Sequence, residues 1–221
     1  MCGRYTLEDV DGLQERYDVE LPADLKPNYN VAPTQTMPVI TETADGKQLE
    51  LIRWGFVPIW AKAPNAKYSM FNTVSETVFD KPTWKQAITT SRCLIPASAF
   101  YEWQTREGGK HPLYIHLPGA TYLSLAGVWG KWFDDGVERH AFSILTTAPN
   151  KEMELVHNRM PVILLPGDEA GWLNPDLSEA QDIERFLRPL ADDSLAMHEV
   201  STEVNSVKSN DRSLILPLGS K

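Results

Sequence analysis

A run of strand-like segments joined by short connections constrains the fold more than any other feature of this sequence. The connections "REGGK" (106–110) and "FDDGVE" (133–138) are rich in Gly and acidic residues, which is typical of hairpin turns. They are too short for parallel crossovers. We therefore predict one α+β domain over residues 1–221, with a mostly antiparallel, barrel-like sheet and short peripheral helices. The predicted strands are 93–103, 112–117, 122–132, 140–147, 160–165 and 197–201.

Other segments predict the elements around this sheet. Residues 27–40 form a proline-punctuated loop that runs into a strand. The dipeptide Asp45-Gly46 separates two apolar runs and predicts a hairpin, after which residues 49–60 are expected to be a strand leading into an aromatic loop. The predicted helices are 6–17 with Thr6 as N-cap, 81–90 with Pro82 in the first turn, 148–157, and 177–187 with Ser178 and Gln181 in capping-box spacing.

Composition and charge exclude several classes of protein. No apolar run approaches the roughly 18 residues of a membrane span, and the first 20 residues lack the apolar core of a signal peptide. We therefore expect a cytoplasmic protein without a membrane partner, in which Cys2 and Cys93 are reduced. Two distant cysteines without clustered histidines do not indicate a metal site.

The charge distribution leaves room for a nucleic-acid partner. The net charge of −9 argues against one at first sight. However, residues 167–203 hold ten acidic and only two basic side chains, so most of the net charge lies in that one segment. A local basic groove on the rest of the chain is therefore compatible with the composition.

Cys2 is the first candidate for chemistry because it directly follows Met1. Removal of Met1 would place a free amine and a thiol on adjacent carbons. The amine can form an imine with an aldehyde, and the thiol can then close onto the imine carbon as a thiazolidine, a step favoured by its intramolecular geometry. A nearby cation such as Arg4 would lower the pKa of both groups. From position alone, Cys2 could also be a small residue near a disordered terminus.

Three polar residues in apolar surroundings are further candidates. Glu102 lies between Tyr101 and Trp103. Aromatic neighbours raise the pKa of a carboxyl group, which suits a general acid or base. Alternatively, Glu102 could be an exposed residue on the alternate face of a strand. His157, in "LVHNRMPVIL", could move protons near neutral pH or be a hydrogen-bonded structural residue. Asn72, after Met70-Phe71, could be a functional-site residue or a turn or cap residue.

Two segments could contact a ligand or only shape the fold. Asn30 precedes the rigid "VAPT" and could be a turn residue. The segment "RWGFVPIW" (53–60) could be a hydrophobic cluster or a stacking surface for bases. Core packing is favoured for Trp54, whereas both alternatives stay open for Pro58 and Trp60.

Taken together, these segments resemble the SRAP family of SOS-response-associated peptidases, or abasic-site-processing proteins. The matching segments "MCGR", "YNVAPT", "RWGFVPIW", "FNTVSET", "CLIPASAFYEW", "HNRMPVIL" and "VNSVKSND" occur in order and span nearly the whole chain. Cys2, Asn72, Glu102 and His157 fall on the active-site positions of this family. The peptidase in the family label relates to the need to expose Cys2 by removing what precedes it; an autoproteolytic step could do this, but ordinary Met removal would suffice.

The resemblance implies a specific activity. Family members bind single-stranded DNA, or single-strand/double-strand junctions, at an abasic site, and Cys2 forms a thiazolidine with C1′ of the opened sugar. Asn72 would hold the Cys2 amine or the sugar, while Glu102 and His157 would transfer protons. No metal or cofactor is implied, and we expect a monomer in the cytoplasm that joins the nucleoid when bound to DNA. The expected DNA contacts are Arg4, Asn30, Trp54, Pro58, Arg159 and Lys208.

One position departs from the family pattern, and two other functions stay open. Val74 stands where the family commonly has an arginine that holds a phosphate, so we expect weaker and more salt-sensitive DNA binding. Glutaminase-type amidotransferases also begin Met-Cys-Gly, which would make Cys2 an amide-attacking nucleophile. A noncatalytic module that binds single strands is the third alternative.

Overall fold

A computed structural model describes residues 2–59, 61 and 70–219. The strands in this part of the chain are β1 (Arg4–Leu7), β2 (Asn28–Val31), β3 (Thr36–Thr43), β4 (Gly46–Trp54), β5 (Asn72–Val74), β6 (Arg92–Ala97), β7 (Ala99–Arg106), β8 (Gly109–His116), β9 (Leu123–Asp134), β10 (Val137–Thr147), β11 (Met160–Pro161), β12 (Ile163–Leu164) and β13 (Ala196–Glu199). The α-helices are α1 (Leu13–Tyr17), α2 (Pro82–Thr90), α3 (Lys151–Glu154), α4 (Pro166–Leu173) and α5 (Ala180–Glu184). Short 3₁₀ helices span Ser75–Thr77, Thr202–Asn205 and Arg212–Ile215.

The larger sheet closes on itself as a five-stranded barrel. β10 pairs with β4, β4 with β3, β3 with β6, β6 with β9, and β9 returns to β10. The β10–β4 pairing is parallel and the other four are antiparallel. Three short strands extend this barrel, since β5 and β11 pair with β10, and β12 pairs with β9.

A second, antiparallel sheet packs against the barrel. Its strand order is β13-β8-β7-β1-β2. Leu7 and Phe100 of this sheet belong to the same buried cluster as Ile40, Leu125 and Phe142 of the barrel. The two sheets therefore share one hydrophobic core, and residues at the edge between them can be drawn from both.

The predicted fold class is confirmed, including the predominance of antiparallel pairing. The hairpin at Asp45-Gly46 is also confirmed: β3 and β4 close at Thr43 opposite Gly46, whose φ of +104° favours glycine. Pro82 begins α2 as expected. The single strand predicted over 93–103 is instead two strands, because the chain passes from the barrel to the second sheet at Ser98.

Two predictions about helices are wrong. Residues 4–7 form a strand rather than the start of a helix, because pairing with β2 and β7 satisfies their backbone; Thr6 lies opposite Ala99 and caps no helix. The capping box at Ser178 is absent as well, since α5 begins after Glu179 without a side-chain cap. α4 was not predicted. Among the described residues, no helix is long and apolar enough to cross a membrane.

Trp54 is one of two fully buried tryptophans among the described residues, and it links β4 to the rest of the core. Its ring stacks on Phe142 with the centroids 6.2 Å apart, and its Nε1 donates a hydrogen bond to the Phe71 carbonyl at 2.9 Å. We expect Trp54→Ala to lower the free energy of unfolding by about 3–5 kcal/mol in urea denaturation. Leu51→Ala on the same strand is the matched control, because Leu51 is 50% exposed. Equal effects of the two substitutions would contradict this assignment.

Candidate active site

Cys2 lies just before β1 and is held by a residue of the barrel. Its side chain is fully buried. The Asn72 side chain donates from Nδ2 to the Cys2 carbonyl oxygen at 2.9 Å. Asn72 begins β5, which pairs in parallel with β10 and places Asn72 opposite Ile144. The Oδ1 atom of Asn72 is buried and has no hydrogen-bond partner among the described residues. An acceptor is therefore available beside Cys2.

Glu102 reaches the same place from the neighbouring strand. β1 and β7 are antiparallel with Arg4 opposite Tyr101, so the register carries Glu102 towards Gly3. Glu102 is only 4% exposed, and burial raises the pKa of its carboxyl, an effect that the charge of His157 partly offsets. A carboxyl of this kind holds its proton more readily than an exposed glutamate and can serve as a proton donor or acceptor.

The Cys2 thiol is less acidic than an ordinary cysteine. Burial raises its pKa, and the negative charge of Glu102 raises it further. Arg4 lowers this pKa only through a backbone hydrogen bond, which is the smallest of the effects, and not through the charge of its guanidinium as expected; the net shift is upward. The Arg4 guanidinium donates to Asn30 Oδ1 at 2.6 Å and to the Val204 carbonyl at 2.7 Å, and these acceptors engage its charge away from the thiol.

His157 follows α3 and is fixed through both its backbone and its ring. Its backbone N–H donates to the Met153 carbonyl at 2.8 Å. Its Nδ1 accepts a hydrogen bond from the Arg159 backbone N–H at 3.0 Å. Because Nδ1 is an acceptor, the neutral imidazole carries its proton on Nε2. The structure thus brings Asn72, Cys2, Glu102 and His157 into one connected group, and their catalytic roles stay predictions.

Arg4 and Asn30, predicted to contact DNA, hold the C-terminal segment onto the second sheet. Asn30 is 1% exposed, and its Nδ2 donates to the carbonyls of Val204, Ser206 and Ser209. Together with the Arg4 bonds, these contacts tie residues 204–209 to β1 and β2. Contact of Arg4 or Asn30 with DNA stays a prediction.

The other predicted DNA contacts differ in exposure. Trp54 is fully buried and Pro58, four residues later, is also buried, so neither presents a face for base stacking in this arrangement. Trp60 lies outside the described residues. Lys208 is exposed. Arg159 donates from both terminal nitrogens to the Glu76 carboxylate, each at 2.7 Å.

Sequence reasoning did not single out Glu76, the partner of Arg159. It lies four residues after Asn72, and its place in "FNTVSET", one of the segments that resemble the family, was the available signal. Its contact with Arg159 joins residues that are 83 positions apart, and no local pattern reports such a pairing. Within the described ranges, no group of three or more His, Cys, Asp or Glu side chains could hold a metal ion.

The family model described as "SOS response associated peptidase (SRAP)" matches residues 1–207. The chain belongs to the SRAP family. It is 37% identical to "Abasic site processing protein YoqW" of Bacillus subtilis (strain 168), over 97% of this chain and 99% of that protein. It is also 30% identical to "Abasic site processing protein HMCES" of Gallus gallus, over 87% of this chain and 67% of that protein.

Solved structures agree with the fold of this SRAP chain. A Bacteroides thetaiotaomicron protein superposes with a TM-score of 0.89 over 98% of this chain and 99% of that one, at 24% identity. A Bordetella bronchiseptica protein gives a TM-score of 0.78 over 90% of this chain and all of that one, at 25% identity. The arrangement of barrel and second sheet is therefore shared by distant sequences.

The electrostatic contact between Glu102 and Cys2 predicts a change in thiol reactivity. Glu102→Gln removes a negative charge, which lowers the Cys2 thiol pKa and increases the thiolate fraction at pH 8. We expect alkylation of Cys2 by iodoacetamide, followed by peptide mass spectrometry, to be several-fold faster in this variant. Glu50→Gln is the matched control, because the Glu50 charge raises the pKa of Cys93 instead. Equal Cys2 rates in wild type and Glu102→Gln would refute the coupling.

Proposed function

We propose that this protein captures abasic sites in single-stranded DNA, or at single-strand/double-strand junctions, as a thiazolidine crosslink through Cys2. The observation that carries the proposal is the connected group formed by Asn72, Cys2, Glu102 and His157. The names of the relatives, which are abasic site processing proteins, support the same substrate. In this proposal the protein acts as a monomer in the cytoplasm, associates with the nucleoid on its DNA substrate, and Met1 is removed before the reaction.

The reaction needs an amine and a thiol on one residue. The Cys2 α-amine adds to the C1′ aldehyde of the opened sugar, and loss of water gives an imine. The sulfur then bonds to the imine carbon while the thiol proton moves to the nitrogen, which closes the ring. Because the Cys2 thiol pKa is raised, the sulfur stays protonated until the imine is in place. The amine therefore acts first.

Proton transfer accompanies both steps. Loss of water requires a proton on the departing hydroxyl, and ring closure requires removal of the thiol proton. Glu102, with its raised pKa and its charge close to the thiol, fits both needs in turn. His157 is in electrostatic contact with Glu102 and can exchange protons with it. The Asn72 side chain fixes the Cys2 carbonyl, which limits rotation of the reacting residue.

A denaturing gel tests the proposal directly. Wild-type protein and single-stranded DNA with one abasic site should give a shifted band that survives denaturation. Cys2→Ala should abolish the band, whereas Cys93→Ala should keep it, because Cys93 is the other free, buried cysteine and lies on β6. Retention of Met1, measured by intact mass spectrometry, should also abolish the band, since the Cys2 nitrogen is then acylated.

Other outcomes would favour the other functions. Hydrolysis of amide substrates that depends on Cys2, without a DNA adduct, would favour an N-terminal-nucleophile peptidase or amidohydrolase. Binding in a native gel with no covalent species, unchanged by Cys2→Ala, would favour a noncatalytic single-strand-binding module.

Val74 predicts weak noncovalent binding, but the expectation that this binding is also more salt-sensitive has the wrong sign, because the salt dependence grows with the number of phosphate contacts. Val74 is half-buried on β5, next to the site, and cannot pair with a phosphate. In the Cys2→Ala background, Val74→Arg should tighten binding to abasic single-stranded DNA and steepen the plot of log K against log[salt] by about 0.7, as expected for one added phosphate contact. Val137→Arg is the matched control, since it adds the same charge at an exposed position on β10. Identical affinities and slopes for the two variants would count against a phosphate position at residue 74.

A further inference from the structure

We propose that Glu76 is a positioning residue for His157 and acts through Arg159. The inference rests on the proposed function in one respect only: it takes from it that His157 transfers protons. The geometry itself is independent of that role. Glu76 lies in the 3₁₀ helix Ser75–Thr77 that follows β5, so it is anchored to the same short strand as Asn72.

The contact between Glu76 and Arg159 is a two-pronged fork. Nη1 of Arg159 donates to Oε1 and Nη2 donates to Oε2, both at 2.7 Å. Nη2 also donates to the Thr146 carbonyl on β10 at 2.5 Å. Oε1 of Glu76 accepts a further hydrogen bond from the Ala148 backbone N–H at 3.2 Å. A bidentate guanidinium–carboxylate pair fixes orientation as well as distance, so the Arg159 side chain is locked to β10 and to the 3₁₀ helix.

The fork reaches His157 through the backbone of Arg159. The backbone N–H of Arg159 donates to His157 Nδ1 at 3.0 Å. This bond selects the imidazole tautomer with its proton on Nε2. The direction of that N–H depends on where the Arg159 main chain lies, and the locked side chain holds the main chain in place. Glu76 therefore controls a ring that it does not touch.

An ordinary surface ion pair would contribute little, since exposed pairs add about 0–1 kcal/mol. Two observations separate this pair from that class. The Arg159 side chain is only 19% exposed, although that of Glu76 is 46% exposed. The Nε atom of Arg159 is also buried with no hydrogen-bond partner among the described residues. The guanidinium therefore depends on its terminal nitrogens, and hence on Glu76 and Thr146, for its orientation.

The direct test observes the histidine ring in the free protein. Long-range ¹⁵N–¹H NMR should show a single Nε2–H tautomer for neutral His157 in the wild type and a mixture of tautomers in Glu76→Ala. Glu138→Ala is the matched control, because Glu138 is 44% exposed and pairs with Lys131 at 3.3 Å away from the site. The double variant Glu76→Ala/Arg159→Ala should show no larger tautomer change than the larger single change, as expected for residues that act in series.

The second readout separates positioning from binding. Glu76→Ala should slow single-turnover crosslinking about tenfold, which is less than the roughly 10²–10⁴-fold effect of a general acid–base group, because His157 is still present; the Kd for abasic DNA in the Cys2→Ala background should stay within about twofold. Glu76→Gln, which keeps one acceptor for Arg159, should be less impaired and replaces Glu76→Ala in both assays if the latter fails to fold.

Two results would overturn the inference. One is an unchanged tautomer and crosslinking rate in Glu76→Ala or its substitute. The other is a change in Kd with an unchanged rate, which would mean that Glu76 only restrains the Arg159 charge with respect to DNA. If the wild type forms no crosslink at all, the proposed function fails, but the tautomer comparison still decides the positioning claim.

Discussion

Strand β10 is the constraint on which the site depends. It closes the barrel by pairing with β4 and β9, and it also carries β5 and β11 along its C-terminal half. The parallel pairing with β5 sets Asn72 at the rim, from which its side chain reaches Cys2. The Thr146 carbonyl on the same strand accepts a hydrogen bond from the Arg159 guanidinium. A shift of β10 by one residue would turn its side chains to the opposite face, so barrel closure and site geometry are fixed by the same hydrogen bonds.

The site places two acidic groups where solvation is poor. Burial raises the pKa of both the Glu102 carboxyl and the Cys2 thiol, and the charge of Glu102 adds to the effect on the thiol. Ionising both at once is therefore disfavoured. This pairing suits a reaction in which the amine of Cys2 attacks first and the thiol must not lose its proton early.

Local sequence signals predicted local structure correctly, and predictions failed where long-range contacts decide the structure. The β3–β4 hairpin and α2 were predicted because Asp45-Gly46 and Pro82 act on their own neighbours. The helix predicted from Thr6 failed because strands distant in sequence pair with residues 4–7 and outweigh helix propensity. Errors of this kind arise because tertiary pairing decides between helix and strand, and periodicity within a short window does not report such pairing.

The residues of the candidate site also divide into those that local sequence marks and those whose contacts depend on the fold. Cys2 and Glu102 were identifiable because position and aromatic neighbours mark them. In contrast, the bonds from Arg4 to Val204 and from Arg159 to Glu76 span 200 and 83 residues. Sequence resemblance could match these arginines to a family but could not show that each already has an intramolecular acceptor. Their partners follow only from the fold.

Those acceptors bear on how the protein would retain DNA. A phosphate that approaches Arg159 meets a guanidinium already held by the Glu76 carboxylate, and the latter repels the phosphate. Arg4 is likewise engaged with Asn30 and two backbone carbonyls. With Val74 uncharged, few side chains near Cys2 remain for phosphate contacts, so under the proposed function the electrostatic part of DNA binding there is small. Under the proposed function, the covalent bond to Cys2 then accounts for most of the lifetime of the complex, and noncovalent contacts need only last until the imine forms.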